Sequence, residues 1–189
     1  VQGNGSLGDV AASVYGGWSA YHSFDPQWLA EQRQYLDLPT LLDLPWPDLK
    51  IESLTAPANL QLLIGWTGSP ASTSRLVDKI SLFKARQQDK YHHFCIQRMI
   101  EGFHQDDLDV IKREIRKNRE LLKNLGANSG VQIETPILHE LCRIAEDFGG
   151  AAKTSGAGGG DCGIVAIDGH ADLDGLLAAG QTKKIEQLP

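Results

Sequence analysis

The stretch "KTSGAGGGDCGIVAI", residues 153–167, joins a Lys-Thr pair to five glycines and an apolar run. Gly-rich loops beside Lys and Thr commonly cradle phosphate, because glycine lets backbone N–H groups approach an anion closely. Residue order tests two known arrangements. A P-loop places Lys-Ser/Thr after its glycines, whereas Lys153 and Thr154 come before them. A dinucleotide fingerprint can be forced through Gly158, Gly160 and Gly163, but that motif follows a strand and opens a helix. The pattern here reads as following a helix and opening a strand. Both arrangements therefore fail. A helix-to-strand connection needs one capping glycine, and each further glycine costs backbone entropy. The surplus asks for close approach of the backbone to a ligand or to another backbone, and ligand contact is the favoured reading.

Asp9 stands at the entry of a short helical stretch, after a Gly-Ser opening. A lone Asp there is first of all an N-cap. The other reading is an anionic group that orients or deprotonates a substrate hydroxyl. In "GWTGSPASTS", residues 65–74, hydroxyls gather where a strand meets a helix. Ser69, Ser72 and Thr73 can cap that helix. They can also line an anion site at its N-terminus, where unpaired N–H groups and the helix dipole favour negative charge. His92, His93 and His104 lie on helical stretches with no Cys, Asp or Glu at ligand spacing, so no metal site is expected. No GxSxG motif and no placeable Cys-His arrangement supports hydrolase chemistry.

Periodicity and punctuation give the elements around these residues. Residues 9–15 read as a helix closed by Gly16 and Gly17. Trp18, Ala20, His22 and Phe24 alternate with Ser19, Tyr21 and Ser23 as a strand. Asp25-Pro26 opens a helix to about Leu36. Pro39, Pro45 and Pro47 mark a surface connection with one helical turn. They also mark the boundary between an opening segment, residues 1–48, and a main body, residues 49–189. Residues 51–54 are a weak strand. The apolar run "LQLLIGW", residues 60–66, reads as a buried strand, after which Gly65, Gly68 and Pro70 loosen the chain. A helix follows with Leu76, Val77, Ile80 and Phe83 on one face, then one with Tyr91, Phe94, Cys95, Met99 and Phe103. A third starts from Asp106 or Asp107, buries Leu108, Ile111, Ile115, Leu122 and Leu125, and stops at Gly126. A fourth starts at Thr135-Pro136, turns Leu138, Leu141, Ala145 and Phe148 inward, and ends at Gly149-Gly150. A strand at 163–167 and a short helix at 171–179 complete the chain. Few strands with segregated helices give the class α+β.

The length of 189 residues suits one domain or one and a half. A hydrophobic fraction of 41% and a charged fraction of 22% are ordinary for a packed chain. A net charge of -6 speaks against a nucleic-acid surface. The Lys/Arg-rich stretch 112–123 is interrupted by Glu114 and Glu120 and reads as a solvated helix face. No apolar run approaches the roughly 20 residues that cross a bilayer, and no charged-then-apolar leader opens the chain, so neither membrane insertion nor secretion is expected. Cys95, Cys142 and Cys162 are widely spaced and odd in number, which fits a reduced, cytoplasmic setting. The first residue is Val1 and the single methionine is Met99, so position 1 is not expected to be a natural start.

Three stretches now stand in order: "GSLGDVAASVYGGW", "IGWTGSPASTSRLVDKI" and "KTSGAGGGDCGIVAI". Together they resemble the GHMP kinase superfamily, in its phosphomevalonate kinase branch, and they span essentially the whole chain. The first resembles the stretch whose aspartate serves the phosphoryl acceptor, with Asp9 followed by Ala11, Ala12, Ser13, Gly16 and Gly17. The last resembles the superfamily's third motif, its C-terminal Gly-rich loop. The middle stretch is characteristic of the phosphomevalonate branch. The superfamily's first motif has no match here. Neither has its second, a Pro-x3-Gly-Leu-Gly-Ser-Ser-type loop that wraps the ATP phosphates. The resemblance therefore implies the C-terminal portion of such an enzyme, with the missing N-terminal half as its partner.

The implied fold is a ferredoxin-like α+β C-terminal domain at residues 49–189, with residues 1–48 a remnant of the N-terminal domain. The implied reaction is phosphoryl transfer from ATP, with Mg²⁺, to phosphomevalonate, giving a diphosphate on the mevalonate route to isoprenoids. Asp9 is implied as the catalytic residue. Its role would be orienting, because the acceptor phosphate oxygen is already ionised at neutral pH. Lys153, Ser155, Gly156, Ala157, Gly158, Gly159 and Gly160 would face the acceptor phosphate or brace the missing ATP loop. Ser69, Ser72 and Thr73 would form a further anion site. The fragment is expected to be inactive alone. The alternatives are a non-catalytic binding module with the same fold and a sibling such as mevalonate kinase.

Overall fold

The computed structural model describes residues 7–68, 89–156 and 158–189, with the backbone alone for 89–93. The expected helix carrying Leu76, Val77, Ile80 and Phe83 lies outside the described residues. The chain divides into two compact units, Val1–Thr55 and Ala56–Pro189.

In the first unit, α1 (Gly8–Tyr15) starts from Leu7 in the left-handed conformation. It ends at Gly16 and Gly17, both at positive φ, 66° and 57°, which glycine adopts without strain. That turn leads into β1 (Trp18–His22). β2 (Lys50–Leu54) pairs with β1 antiparallel, Trp18 opposite Leu54 and His22 opposite Lys50, so β2 belongs to the first unit. Asp25 caps α2 (Pro26–Gln32), accepting from the Gln27 and Trp28 N–H groups at 2.8 and 3.3 Å. α2 stops at Gln32 rather than near Leu36. Residues 34 and 35 switch to tighter bonds onto Glu31 and Gln32, and the extended Asp37 then caps α3 (Leu38–Leu42). The proline-rich stretch is anchored as well as superficial. Leu41 is buried, Trp46 packs edge-on against Phe24 at 5.1 Å, and its Nε1 donates to the Leu41 carbonyl at 2.9 Å.

The second unit holds β3 (Leu60–Trp66), α4 (Asp89–His104), α5 (Leu108–Ser129), α6 (Pro136–Asp147), β4 (Ala151–Thr154), β5 (Cys162–Asp168), α7 (Leu173–Thr182) and β6 (Glu186–Leu188). The strands form one antiparallel sheet in the order β4-β5-β3-β6. With β3 and β5 central, this is the ferredoxin-like split βαβ arrangement, and the class is α+β. Sequence periodicity missed β4 and β6. The correction matters for the glycines, because β4 stands between α6 and the loop. The loop is a β4–β5 hairpin, not a helix-to-strand connection.

Helices α6 and α7 cover one face of the sheet, with Leu141, Ile144, Ala145 and Leu176 against Ala152, Val165, Ile167 and Ile185. Gly65 and Gly163 stand opposite each other in register, and a Cβ at Gly65 would meet a Leu141 methyl at 2.5 Å. Gly65 thus makes room for a core leucine and does not loosen the chain. β3 is also less buried than its apolar run implies. Successive side chains alternate between faces, and Leu62, on the face opposite Leu63, is 41% exposed.

α4 and α5 form an antiparallel pair. A Cβ at Gly102 would stand 2.9 Å from Ile111, and Cys95 Sγ donates to the Glu114 carbonyl at 3.0 Å. Asp107, rather than Asp106, caps α5 on the Val110 N–H. α5 continues past Gly126 and stops at Gly130, φ 67°. Gly126 is needed inside the helix because a Cβ there would stand 2.6 Å from the returning Val131 carbonyl. The charged stretch on α5 is only partly a solvated face, since Glu114, Asn118 and Arg119 are buried. Among the described residues no helix is long and apolar enough to cross a membrane.

Candidate functional site

The hairpin between β4 and β5 extends the strand ladder by one rung, the Ser155 N–H donating to the Cys162 carbonyl at 3.0 Å. Beyond that rung, Gly158, Gly159, Gly160 and Asp161 lie at φ 88°, 83°, 133° and 64°. Such a run strains any residue with a Cβ, so conformation alone accounts for three of the five glycines. Two other backbones hold the loop. The Ile133 carbonyl accepts the Gly159 N–H at 2.8 Å, and a Cβ at Gly158 would stand 2.5 Å from the same oxygen. The Thr67 N–H donates to the Asp161 carbonyl at 2.8 Å. At Gly158, therefore, close approach is to another backbone. Gly156 differs: it is exposed, and apart from its chain neighbours no atom of the described residues lies within 4 Å of where its Cβ would stand. With the exposed Ser155, it forms an open rim where an anion can meet backbone and a hydroxyl. Ala157 lies outside the described residues.

Lys153 stands on β4 just before this rim, half-buried, and its ammonium folds back onto the Thr154 carbonyl at 2.8 Å. Burial holds its pKa below the ordinary 10.5, and no carboxylate among the described residues counters that effect. A partly desolvated cation without a counter-ion favours an anionic neighbour. Thr67 adds a second such group: it is buried, and its Oγ1 has no hydrogen-bond partner among the described residues. Sequence reasoning missed Thr67. Its signal was its place at the end of β3, at the head of the hydroxyl-rich stretch. Ser69, Ser72 and Thr73, which follow it, lie outside the described residues.

Asp9 lies in the first unit, and the hairpin lies in the second. It occupies the first turn of α1 and is exposed. Leu7 holds the N-cap position and no side chain caps the helix, so capping does not account for Asp9. Its backbone carbonyl accepts from Ser13 Oγ at 2.9 Å. Among the described residues no three His, Cys, Asp or Glu side chains gather to hold a metal ion. All three cysteines are free. Burial raises the Cys95 and Cys142 thiols to about 11 and about 12, so neither is a thiolate nucleophile at neutral pH.

Residues 97–184 match the family model described as GHMP kinases C terminal. The phosphomevalonate kinase of Streptomyces sp. (strain CL190) is 39% identical over 176 residues, covering 90% of this chain and 47% of that protein. A protein of Listeria innocua of known structure is 40% identical with a TM-score of 0.90, covering 99% of this chain and 54% of that one. The phosphomevalonate kinase of Streptococcus pneumoniae, solved in complex with phosphomevalonate and AMPPNP, is 29% identical with a TM-score of 0.85. That match covers 98% of this chain and 55% of that one. This chain spans about half the length of the relatives it matches. The chain is thus similar to the GHMP kinases, and residues 97–184 match their C-terminal part.

Proposed function

We propose that this chain is the C-terminal half of a phosphomevalonate kinase. The enzyme would transfer the terminal phosphoryl group of ATP to the phosphate of 5-phosphomevalonate, giving 5-diphosphomevalonate on the mevalonate route to isoprenoids. The observation that carries this reading is the 39% identity to the Streptomyces kinase along 90% of the chain. The open hairpin rim beside an uncountered lysine supports it from the geometry. The ligands of the pneumococcal relative, phosphomevalonate and AMPPNP, support the choice of the two small-molecule partners.

On this reading the first unit, Val1–Thr55, is the tail of the N-terminal domain and Ala56–Pro189 is the C-terminal domain, the boundary falling after β2 rather than at residue 48. A missing N-terminal half is the remaining partner, and the setting is cytoplasmic. Both reactants are strongly anionic, so the work is positioning and charge neutralisation. An acceptor phosphate oxygen bonds to the transferred phosphorus as the bond to ADP breaks. Ser155 and Gly156 hold the acceptor phosphate and Lys153 adds positive charge, while Gly158 and Gly159 brace the loop against Ile133. Asp9 orients the acceptor. Ser69, Ser72 and Thr73 extend the anion-binding surface. Mg²⁺, when bound, would supply charge neutralisation at the nucleotide phosphates.

The test uses the full-length enzyme, this chain joined to the upstream half its relatives carry, with ADP release and diphosphate product measured together. Turnover with phosphomevalonate is expected. Asp9→Asn should lower kcat by about 100-fold while changing KM little. A completed enzyme that binds phosphomevalonate yet forms no diphosphate refutes the proposal. Turnover of mevalonate in its place assigns the chain to a sibling activity.

A further inference from the structure

Next to Ile133, on which the glycine hairpin rests, lies an ion-pair network whose centre, Arg119 with Glu134, is largely buried. Arg119 of α5 is 7% exposed. Its Nε donates to Glu134 Oε2 at 2.7 Å and its Nη2 to Glu134 Oε1 at 2.9 Å, a two-pronged fork. Its Nη1 donates to Glu146 Oε1 of α6 at 2.8 Å. His139 Nδ1 lies 2.9 Å from Glu134 Oε1. Burial alone would raise the Glu134 pKa, but hydrogen bonds from Arg119 and His139 outweigh it and hold the carboxyl below 4.5. Glu134 is therefore ionised at neutral pH and the fork is fully charged.

Glu134 directly follows Ile133, the residue on which the hairpin rests. The Ile133 carbonyl takes the Gly159 N–H, and Gly158 lies against it. The α5–α6 connection is thus fixed at three places: the left-handed Gly130, the buried Val131 and Ile133, and the Arg119 fork on Glu134. A buried ion pair is a weak source of stability, because desolvation of both charges offsets their attraction, and apolar replacements are often as stable. What a forked guanidinium supplies that an apolar pair does not is direction, two parallel bonds that fix a carboxylate in one place.

We infer that Arg119 and Glu134 are positioning residues for the hairpin: their fork fixes the backbone of Ile133, and Ile133 sets where the Ser155–Gly156 rim meets its ligand. The inference rests on the reading of that rim as the acceptor-phosphate site. Its test is made in the full-length enzyme. The double variant Arg119→Met/Glu134→Leu replaces the fork with apolar groups of similar bulk. It is expected to keep a near-native thermal midpoint and KM for ATP, while KM for phosphomevalonate rises about tenfold. Hydrogen exchange at the Gly159 amide is expected to accelerate. Arg119→Lys keeps the charge without the fork and should fall between. Leu176→Ala, a core truncation on α7, should lower the midpoint and leave KM for phosphomevalonate unchanged. If the double variant folds with wild-type KM and wild-type Gly159 exchange, the inference is overturned. If it does not fold, Arg119→Lys decides, and an unchanged KM and exchange rate overturn it equally. Gly156→Ala, on the rim itself, separates the two readings. If it alone raises KM, only the positioning role falls. If neither variant raises KM, the rim is not the acceptor site and both readings fall.

Discussion

An alanine at Gly158 would place its Cβ 2.5 Å from the Ile133 carbonyl oxygen, on a backbone with φ 88°. Gly158→Ala is therefore expected to cost about 2 kcal/mol, read as a lower thermal midpoint. Two residues earlier the outcome should be the reverse. Gly156 has open space where its Cβ would stand, so Gly156→Ala should leave the midpoint alone. It should instead push a methyl group into the ligand's approach and raise KM for phosphomevalonate by about tenfold. A Gly156→Ala enzyme with a lowered midpoint and normal KM would reverse this assignment. Lys153 gives a second trade between stability and function. Its folded-state pKa lies below 10.5 because burial disfavours the charged form. The charged lysine thus costs stability at neutral pH, and that cost disappears as pH rises through the folded value toward 10.5. Lys153→Met should stabilise the protein by about 1 kcal/mol at pH 7, with a smaller gain near pH 10, while weakening phosphomevalonate binding. Equal gains at both pH values would show that the buried charge is not the cause.

Elements obey the same logic over longer reach. Alanine normally improves a helix interior by about 1 kcal/mol over glycine. On α5 the sign should invert, because a Cβ at Gly126 would meet the Val131 carbonyl at 2.6 Å. Gly126→Ala is expected to lower the urea midpoint, with a loss of about 1–2 kcal/mol, and a gain would contradict the packing described for the α5–α6 connection. Gly126 also marks where sequence reading stops. Helix starts at Asp25-Pro26, at Asp106 or Asp107, and at Thr135-Pro136 were legible because a cap and its N–H partners lie within three residues of each other, and the structure chose Asp107. Gly126 and Gly130 are equivalent stop signals on the page, and only contact with the returning chain separates them. β4 was illegible because Ala-Ala-Lys-Thr carries no alternation, and its pairing with β5 closes across the glycines. The glycine loop was visible as an anomaly. Its division into left-handed positions, a backbone contact and an open rim depends on Ile133 and Thr67, both distant in sequence. Arg119 and Glu134 were hidden for a related reason, since a charged stretch on a helix reads as solvated until a partner element buries part of it.

At the scale of the molecule, phosphoryl transfer requires donor and acceptor phosphates held in line with their charge neutralised. On the proposed reading, the rim at Ser155 and Gly156, with Lys153 beside it, would serve the acceptor. The donor side is different. The sequence holds no Gly-Leu-Gly-Ser-Ser-type loop, the described residues offer no group of metal ligands, and the chain spans 47% of the Streptomyces kinase. A net charge of -6 also opposes capture of a nucleotide triphosphate by general attraction. The 189-residue chain alone is therefore expected to give no phosphomevalonate-dependent ADP release above the enzyme-free rate, whereas the full-length enzyme turns over. Coupled ADP assays on both, at equal molar concentration and with contaminating kinase removed, make the comparison. Turnover by the chain alone would mean that these residues also hold the donor phosphates. The glycine hairpin, with its open backbone rim beside the half-buried Lys153, would then have to serve the nucleotide, and its assignment to the acceptor would be wrong.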